Sequence, residues 1–479
     1  MWLRQLQQRW LGLNRSTRRP SRAAKDSDSR RLRPVLECLE DRTLLSTFTA
    51  ATVADLIADI NAANAHGGDN TINLTASSYI LTAADNTTDG PTDLPVIVKG
   101  DQLTIEGNGA TIQAQITRNA FRIFDVADKA ALTLNDLTLT GGIAFGSGVS
   151  AEGGGIFSRG QLTLDNVTVT QNFAAGTSEF FLADSVPGKD AAGGGIFSVG
   201  GSITLKAGTV LTQNEAVGGN AGIGLNGNPG GAGGNASGGG LFAMDATVLI
   251  EAGAQVSSNL ALAGFGGSSG SNLFTGAIGT GGASGNATGG GITAIDSNVT
   301  INGTLLENQV DGNRGGSGQT NATGGAGGNA SGGGLYAVGS SVSLNGALFQ
   351  GSIARAGFGG GSSGAGNASG NGGSASGGGI AAIDSRLTLN DTIIEFSETD
   401  GAGGGSGFFG ENGDGGTGSG GGLFARQSEI TLINVIVQQN GVSGGGGGYG
   451  FRRRVQRWGR GHRQRWGHCR RRRFPQSIR

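Results

Sequence analysis

Gly153 to Asn172 reads GGGIFSRGQLTLDNVTVTQN, and the chain rewrites this stretch six more times. A glycine triplet opens each copy, at Gly153, Gly193, Gly238, Gly289, Gly332, Gly377 and Gly420, so successive copies start 40, 45, 51, 43, 45 and 43 residues apart. Self-similarity at such a period marks a repeat architecture, in which a unit too small to bury its own apolar face stacks on its neighbours. The fourth position of each copy is aliphatic, as in Ile156, Ile196 and Leu241, and the sixth is Ser or Ala, as in Ser158, Ser198 and Ala243. These two share one face of a strand, so both are expected inward and the fifth position outward. A second alternating run follows, such as Leu162/Leu164, and a third, such as Val167/Val169, which often closes on Asn: Asn172, Asn214, Asn259, Asn308 and Asn440.

Three short strands in about 20 residues make one coil of a parallel β-helix. The recurrent Asn predicts a corner ladder, with the Asn backbone left-handed and its amide bonded to the Asn above. Upstream, Val53, Leu56, Ile57 and Ile60 have the spacing of one short helix, ended at His66-Gly67-Gly68-Asp69, and alternation begins at Thr71. Such a helix is what the first coil needs as a cap. His66, at this turn and without a partner His or Cys in the body, reads as a turn residue. Leu103 to Ile112 and Leu132 to Leu139 read as two further coils, giving about nine. The expected organisation is a basic leader at 1–46, a cap with first strands at 47–99, the β-helix at 100–443 and a basic tail at 444–479.

Charge is distributed unevenly. Residues 1–42 hold 11 Lys+Arg and 5 Asp+Glu, and residues 451–479 hold 12 Arg and no acid, which leaves the body 11 basic and 30 acidic residues, a net charge of about −19. An acidic body repels nucleic acid and anionic membrane surfaces. Cys38 and Cys469 lie in opposite ends, so the body has no disulfide framework and no thiolate metal site. No run of 18 apolar residues exists, so no transmembrane helix is expected.

The GGGIFS…LTLDNVTVTQN pattern resembles the right-handed parallel β-helices of pectate-lyase type and the GGGI/FxxN-like repeats of polymorphic outer-membrane and adhesin passenger proteins. That resemblance covers most of residues 100–440 and implies the right hand of the coil. Residues 53–74 partly resemble the "SLREAI…AN…GxDTIxL" opening of bacterial β-helix proteins. Leu36-Glu37-Cys38-Leu39-Glu40-Asp41-Arg42-Thr43-Leu44-Leu45-Ser46 is similar to the "LExLEDRxLLS" segment of large secreted or surface proteins of planctomycetes, which implies export. The inserts before each triplet, such as residues 218–237 and 315–331, hold almost no large side chains. They read either as flexible loops or, by similarity to the GGAGGNGG domains of mycobacterial surface proteins, as polyglycine-II-like layers.

Three features could carry chemistry. The eighth position is Asp245, Asp296 and Asp384 in three coils, which invites a catalytic or calcium-binding carboxylate pair; its exchange with Gly160, Gly200 and Gly339 in others reads as turn chemistry. No other metal or cofactor is implied. The outward fifth position, Phe157, Phe197, Phe242, Tyr336 and Phe424, forms an aromatic ladder that either grips sugar rings or is covered by the inserts. The arginine-rich tail, with Trp458, Trp466, His462, His468 and Cys469, would suit nucleic acid. Shifted by one nucleotide, however, a permitted coding of it reads SGGGFSGGAGGTASGGGTAA, so it is expected to be an out-of-frame end that replaces further repeats. No Ser/His/Asp set, P-loop or dinucleotide fingerprint is present. The expectation is a monomeric, non-catalytic, secreted or cell-surface β-helix protein in adhesion, envelope structure or polysaccharide contact. The alternative is a β-helix polysaccharide lyase or glycoside hydrolase, which needs convergent acids and bases that eleven scattered Lys+Arg do not suggest.

Overall fold

A computed structural model describes residues 46–449 apart from 116–119, 147–149, 179–184, 271–278, 320–321, 364–366 and 408–409. The basic leader with Cys38, and the tail with Trp458, Trp466, His462, His468 and Cys469, lie outside the described residues.

The chain folds as a parallel β-helix. In the coil opened by Gly193 the strands are Ile196–Val199, Ser202–Leu205, Val210–Thr212, Glu215–Val217 and, after the insert, Ala236–Ser237. Each stacks in parallel register on its equivalent in the next coil, for example Ile196 on Leu241, Ile203 on Val248, Leu211 on Val256 and Ala216 on Ala261. Three strands per coil is therefore an undercount. The last two are only two or three residues long and carry alanine inward, too short and too small to show a period. Stacking gives sheets of 18, 8, 8 and 7 strands.

Nine levels run from Asp101–Ala114 to Glu429–Ile433, as the repeats predict; Gly68–Leu74 and Ser46–Ala50 add two levels before them. The helix Val53–His66 buries Leu56, Ile60 and Ala63 against these first strands, and a Thr52–Asp55 capping box fixes its start. Ile196 and Ser198 are both fully buried, so the fourth and sixth positions point into the lumen together. At the far end Leu432, Ile433 and Val437 are about half exposed, since no described level covers them.

The triplet marks a neck where each coil's incoming chain crosses its outgoing chain. The first glycine turns with positive φ, 64° at Gly153 and 63° at Gly193, a conformation that L side chains resist. A Cβ on the second would enter the outgoing backbone: at Gly194 it would fall on Glu215, and at Gly239 on the carbonyl oxygen of Leu260. A Cβ on the third would meet the corner amide, 3.0 Å from Asn214 Cγ at Gly195. That amide belongs to a buried ladder. Nδ2 of Asn172, Asn214 and Asn259 each donates at 3.0 Å to Oδ1 of the Asn one level on, ending at Asn308. The left-handed residue is not the Asn, as expected, but its predecessor: Gln171, Gln213, Ser258 and Glu307 have φ of 52–55°. The turn is made one residue earlier, so the Asn stays extended and its amide reaches inward.

Beyond the neck the described residues of the inserts form a hydrogen-bonded layer, which favours the second of the two readings of their sequence. Outgoing and returning arms alternate in a column in which Gly231, Gly267, Gly282, Gly316, Gly325, Gly360 and Gly370 each donate a backbone N–H to the preceding member, from Gly222 onward, at 2.8–3.0 Å. Other amides bond the same arm one level up, such as Gly233 to Ala283 and Gly327 to Asn371. Two hydrogen-bond directions per arm make a polyglycine-II-like layer. None of these column glycines has positive φ. They are glycine because a Cβ at Gly316 would fall on the carbonyl oxygen of Gly267, and one at Gly370 on that of Gly325.

Gly239→Ala is expected to cost about 3 kcal/mol or more in urea unfolding, because the clash is with backbone. Gly446→Ala, where a Cβ meets nothing within 4 Å, should change stability by less than about 0.5 kcal/mol. Asn259→Ala should cost about 2–3 kcal/mol, since it strands the buried amide and carbonyl groups of its two ladder neighbours.

Candidate functional site

The first glycine of each triplet bends the returning arm away from the strand that follows it, and the re-entrant angle between them forms a groove of about 640 Å³. One wall is the outer face of the strands after the triplets, with Phe197, Phe242, Met244, Ile295 and Tyr336; the other carries Asn235, Asn286 and Asn329 with Ser237, Thr288 and Ser331. The second wall is itself a ladder. Asn235 Oδ1 accepts the backbone N–H of Asn286 at 2.9 Å, and Asn286 Oδ1 that of Asn329 at 2.9 Å. The carboxamide nitrogens are not used in these bonds. Ser237 and Thr288 hydroxyls pair at 2.9 Å, as do those of Ser331 and Ser376.

The aromatic ladder is only partly continuous. Phe157, Phe197 and Phe242 stack with centroids 5.4 and 4.9 Å apart and planes within 6° and 1°. They form a small apolar cluster of their own, outside the lumen, with Ala192, Val199, Met244 and Ile295 packed on it. Their faces meet one another and the rings are only 5–8% exposed, so no more than a narrow strip of ring edge reaches the groove. Thr293 interrupts the ladder before Tyr336, and Ala381 before Phe424; both of these rings are half-buried.

Asp245, Asp296 and Asp384 are exposed at the next corner with φ of 51°, 47° and 48°, in the left-handed place that Gly200 and Gly339 take in other coils. Asp245 and Asp296 occupy adjacent levels, while Gly339 separates Asp296 from Asp384. Among the described residues no three of His, Cys, Asp and Glu gather as metal ligands.

At the end of the groove marked by Glu152, charged side chains converge that the sequence reading did not single out. Arg159 Nη1 donates to Asp89 Oδ1 at 3.1 Å and Nη2 to Asp89 Oδ2, while Asp125 Oδ1 is 4.0 Å from Nη2. Arg122 Nη2 donates at 2.9 Å to the carbonyl of Glu152. Both guanidiniums sit over the Phe157 ring, at 4.8 and 5.3 Å from its centroid. Asp125 is fully buried; burial and the neighbouring Asp89 push its carboxyl up to about 6, against the pull of Arg122 and Arg159. Burial also raises Glu152, and burial alone raises Asp93, nearby in sequence to Asp89, to about 8. One signal was available: Asp125 takes the ladder place that Phe157 takes one level on, so a charge stands where the repeats put a ring.

No family model matches the chain, and no curated protein matches it. Among solved structures it is similar to the A-module of the mannuronan C-5 epimerase AlgE4 of Azotobacter vinelandii, at 15% identity and a TM-score of 0.29, covering 83% of this chain and 96% of that one. The A-module of AlgE6 from the same organism gives 13%, 0.26, 82% and 94% in the same order. An alginate lyase from Paenibacillus sp. str. FPU-7 gives 9%, 0.18, 83% and 99%.

The raised carboxyls set a pH dependence. Asp93 and Asp125 bind protons more tightly folded than unfolded, so their penalty is full above the folded values and is relieved as pH falls through about 8 and then about 6. The urea midpoint should therefore rise on going from alkaline to mildly acidic pH, and Asp93→Asn should remove the upper part of that rise. A midpoint that falls over this range contradicts the assignment.

Proposed function

We propose that the protein is a secreted or cell-surface β-helix protein that holds a polysaccharide chain or cell-envelope glycan in this groove without cleaving it. The observation that carries the reading is the repetition of both walls at the coil spacing: amides and hydroxyls on one side, ring edges and aliphatic carbons on the other. A glycan offers the matching alternation, with hydroxyls around its rim and C–H on its faces, and a repeating ligand gains from a repeating wall. The groove's contacts are neutral along most of its length, so binding needs no calcium; a cation held by Asp245 and Asp296 would act on the coil corner. No described helix is long and apolar enough to cross a membrane.

The raised carboxyls of Asp125 and Glu152, beside Arg122 and Arg159, favour a second reading, a lyase or glycoside hydrolase, because raised carboxyls next to cations are what acid–base chemistry on a glycan uses. The binding reading is preferred because Asp125 is sealed from solvent and Asp89 is held by Arg159.

Thr288→Arg places a long side chain across the groove and should abolish binding of oligosaccharides in isothermal titration while leaving the melting temperature unchanged. Neutral and acidic polysaccharides incubated with the protein, with and without calcium, should show no new reducing ends and no unsaturated products. Clear cleavage that is lost in Asp125→Asn would establish the enzyme instead.

A further inference from the structure

On the outgoing side of the neck lies a second cleft, of about 610 Å³, lined by Ile143, Gln171, Phe173, Gln213, Glu215 and Ser258, none of which borders the groove. No Lys, Arg or His lines it, and Glu215 is its only charge. Gln171, Gln213, Glu215 and Ser258 are exposed, and Ile143 and Phe173 are half-buried. Glu215 forms no ion pair among the described residues, and Lys206 of the same coil is held by Asp165 at 3.1 Å.

Phe173 and Glu215 are direct partners on adjacent strands, so ring and carboxylate stand side by side. Unlike Phe197, which is stacked between two rings, Phe173 has Ile143 and Glu215 as its neighbours one level to either side. Gln171 and Gln213 make the corner turn with φ of 54° and 55°, where Gly141 and Gly351 serve other levels. Glutamine resists this conformation and glycine does not, so the turn itself does not call for a long polar side chain. Their carboxamides enter none of the bonds of the buried Asn ladder beside them.

Backbone groups at this corner are already paired. The N–H of Phe173 donates to the Gly142 carbonyl at 2.8 Å, that of Glu215 to Asn172 at 2.9 Å and that of Leu260 to Asn214 at 3.0 Å. A ligand therefore meets side chains and not a free strand edge. An anion is repelled by Glu215, and a divalent cation finds one carboxylate where it needs several oxygen ligands. An ammonium group has a use for every wall: a carboxylate for its charge, a ring that attracts cations, carboxamide and hydroxyl oxygens that accept its N–H groups, and an aliphatic side chain for the carbons that carry it. The net charge of the body, about −19, raises the local concentration of such cations.

We infer that this cleft binds a primary ammonium group on an aliphatic or sugar stem, held between Glu215 and Phe173, with Gln171 and Gln213 as acceptors. The inference does not depend on the groove being a glycan track.

Cadaverine and methyl glucosaminide, each beside its N-acetylated form, test it by isothermal titration at low ionic strength against the full chain. At least one amine should bind the wild type, and its N-acetylated form at least tenfold more weakly. The tighter of the two tells an aliphatic source from a sugar source, and either supports the inference. Glu215→Gln should weaken binding at least tenfold and Phe173→Leu at least threefold. Gln171→Gly combined with Gln213→Gly should weaken it at least threefold without lowering the melting temperature, because glycine relieves the turn. Thr288→Arg, which obstructs the groove, should leave amine binding unchanged, so that failure of the cleft and failure of the groove are read separately. Equal losses in Glu215→Gln and in Asp245→Asn, at an exposed corner outside the cleft, would show attraction to the acidic body alone and overturn the inference. Equal binding of the acetylated forms, or no binding of either amine, would also overturn it. If Glu215→Gln does not fold, Phe173→Leu and acetylation of the ligand decide.

Discussion

Each coil has to close on itself while letting its chain out and back in, and the structure depends on how tightly the two passages cross. At the neck the second glycine of the triplet lies against the outgoing backbone, as Gly194 does against Glu215 and Gly290 against Gln309. Such an approach forbids a Cβ, and it recurs in all seven repeats. The neighbouring groups complete the seal. The third glycine packs on the corner amide, and that amide is satisfied by the Asn one level away. A buried amide column of this kind is worth having only if it is continuous, since a half-satisfied one costs more than none. Where it lapses, Ser352 takes the Asn place and its hydroxyl is left without a partner.

Two arms must leave every neck side by side, and they solve the problem of their own exposed backbone by bonding to each other. Small residues do this near the neck, with Ala236, Ala261 and Ala287 clustered, and glycine does it further out. Glycine loses more conformational entropy on ordering than any other residue. The layer offsets this by placing hydrogen bonds in two directions, which a chain bearing side chains could not do at the same spacing. The groove is a by-product of that geometry: the arm leans away from the next strand, and over the levels of Phe197, Phe242, Ile295 and Tyr336 the angle repeats with a polar wall facing an apolar one.

The solenoid, its inward faces and its amide ladder are legible in the amino-acid sequence, through the triplet spacing, the alternation of Ile203/Leu205 and the terminal Asn. What escaped has physical reasons. The left-handed residues before the corner position include Gln171, Gln213 and Glu307, and Phe396 before Ser397 in the Asn place, types that announce no turn. The short strands at Glu215 and Ala236 are too brief for a period. Glycine-rich composition reads equally as a flexible loop or a close-packed layer, and only the approach distances separate the two. The charged cluster comes from residues 89, 122, 125 and 152, ahead of the first triplet, and from Arg159 within the first copy, and Asp125 stands out only once its place opposite Phe157 is known.

The most direct measurement of this account is amide hydrogen exchange along the inserts. If the arms form a hydrogen-bonded layer that builds the groove wall, the amides of Gly231, Gly267, Gly282 and Gly316 should be protected to a degree comparable with Leu205 and Ile250 in the lumen strands. Exchange of those glycine amides at the rate of an unstructured chain, with the lumen strands still protected, would contradict it.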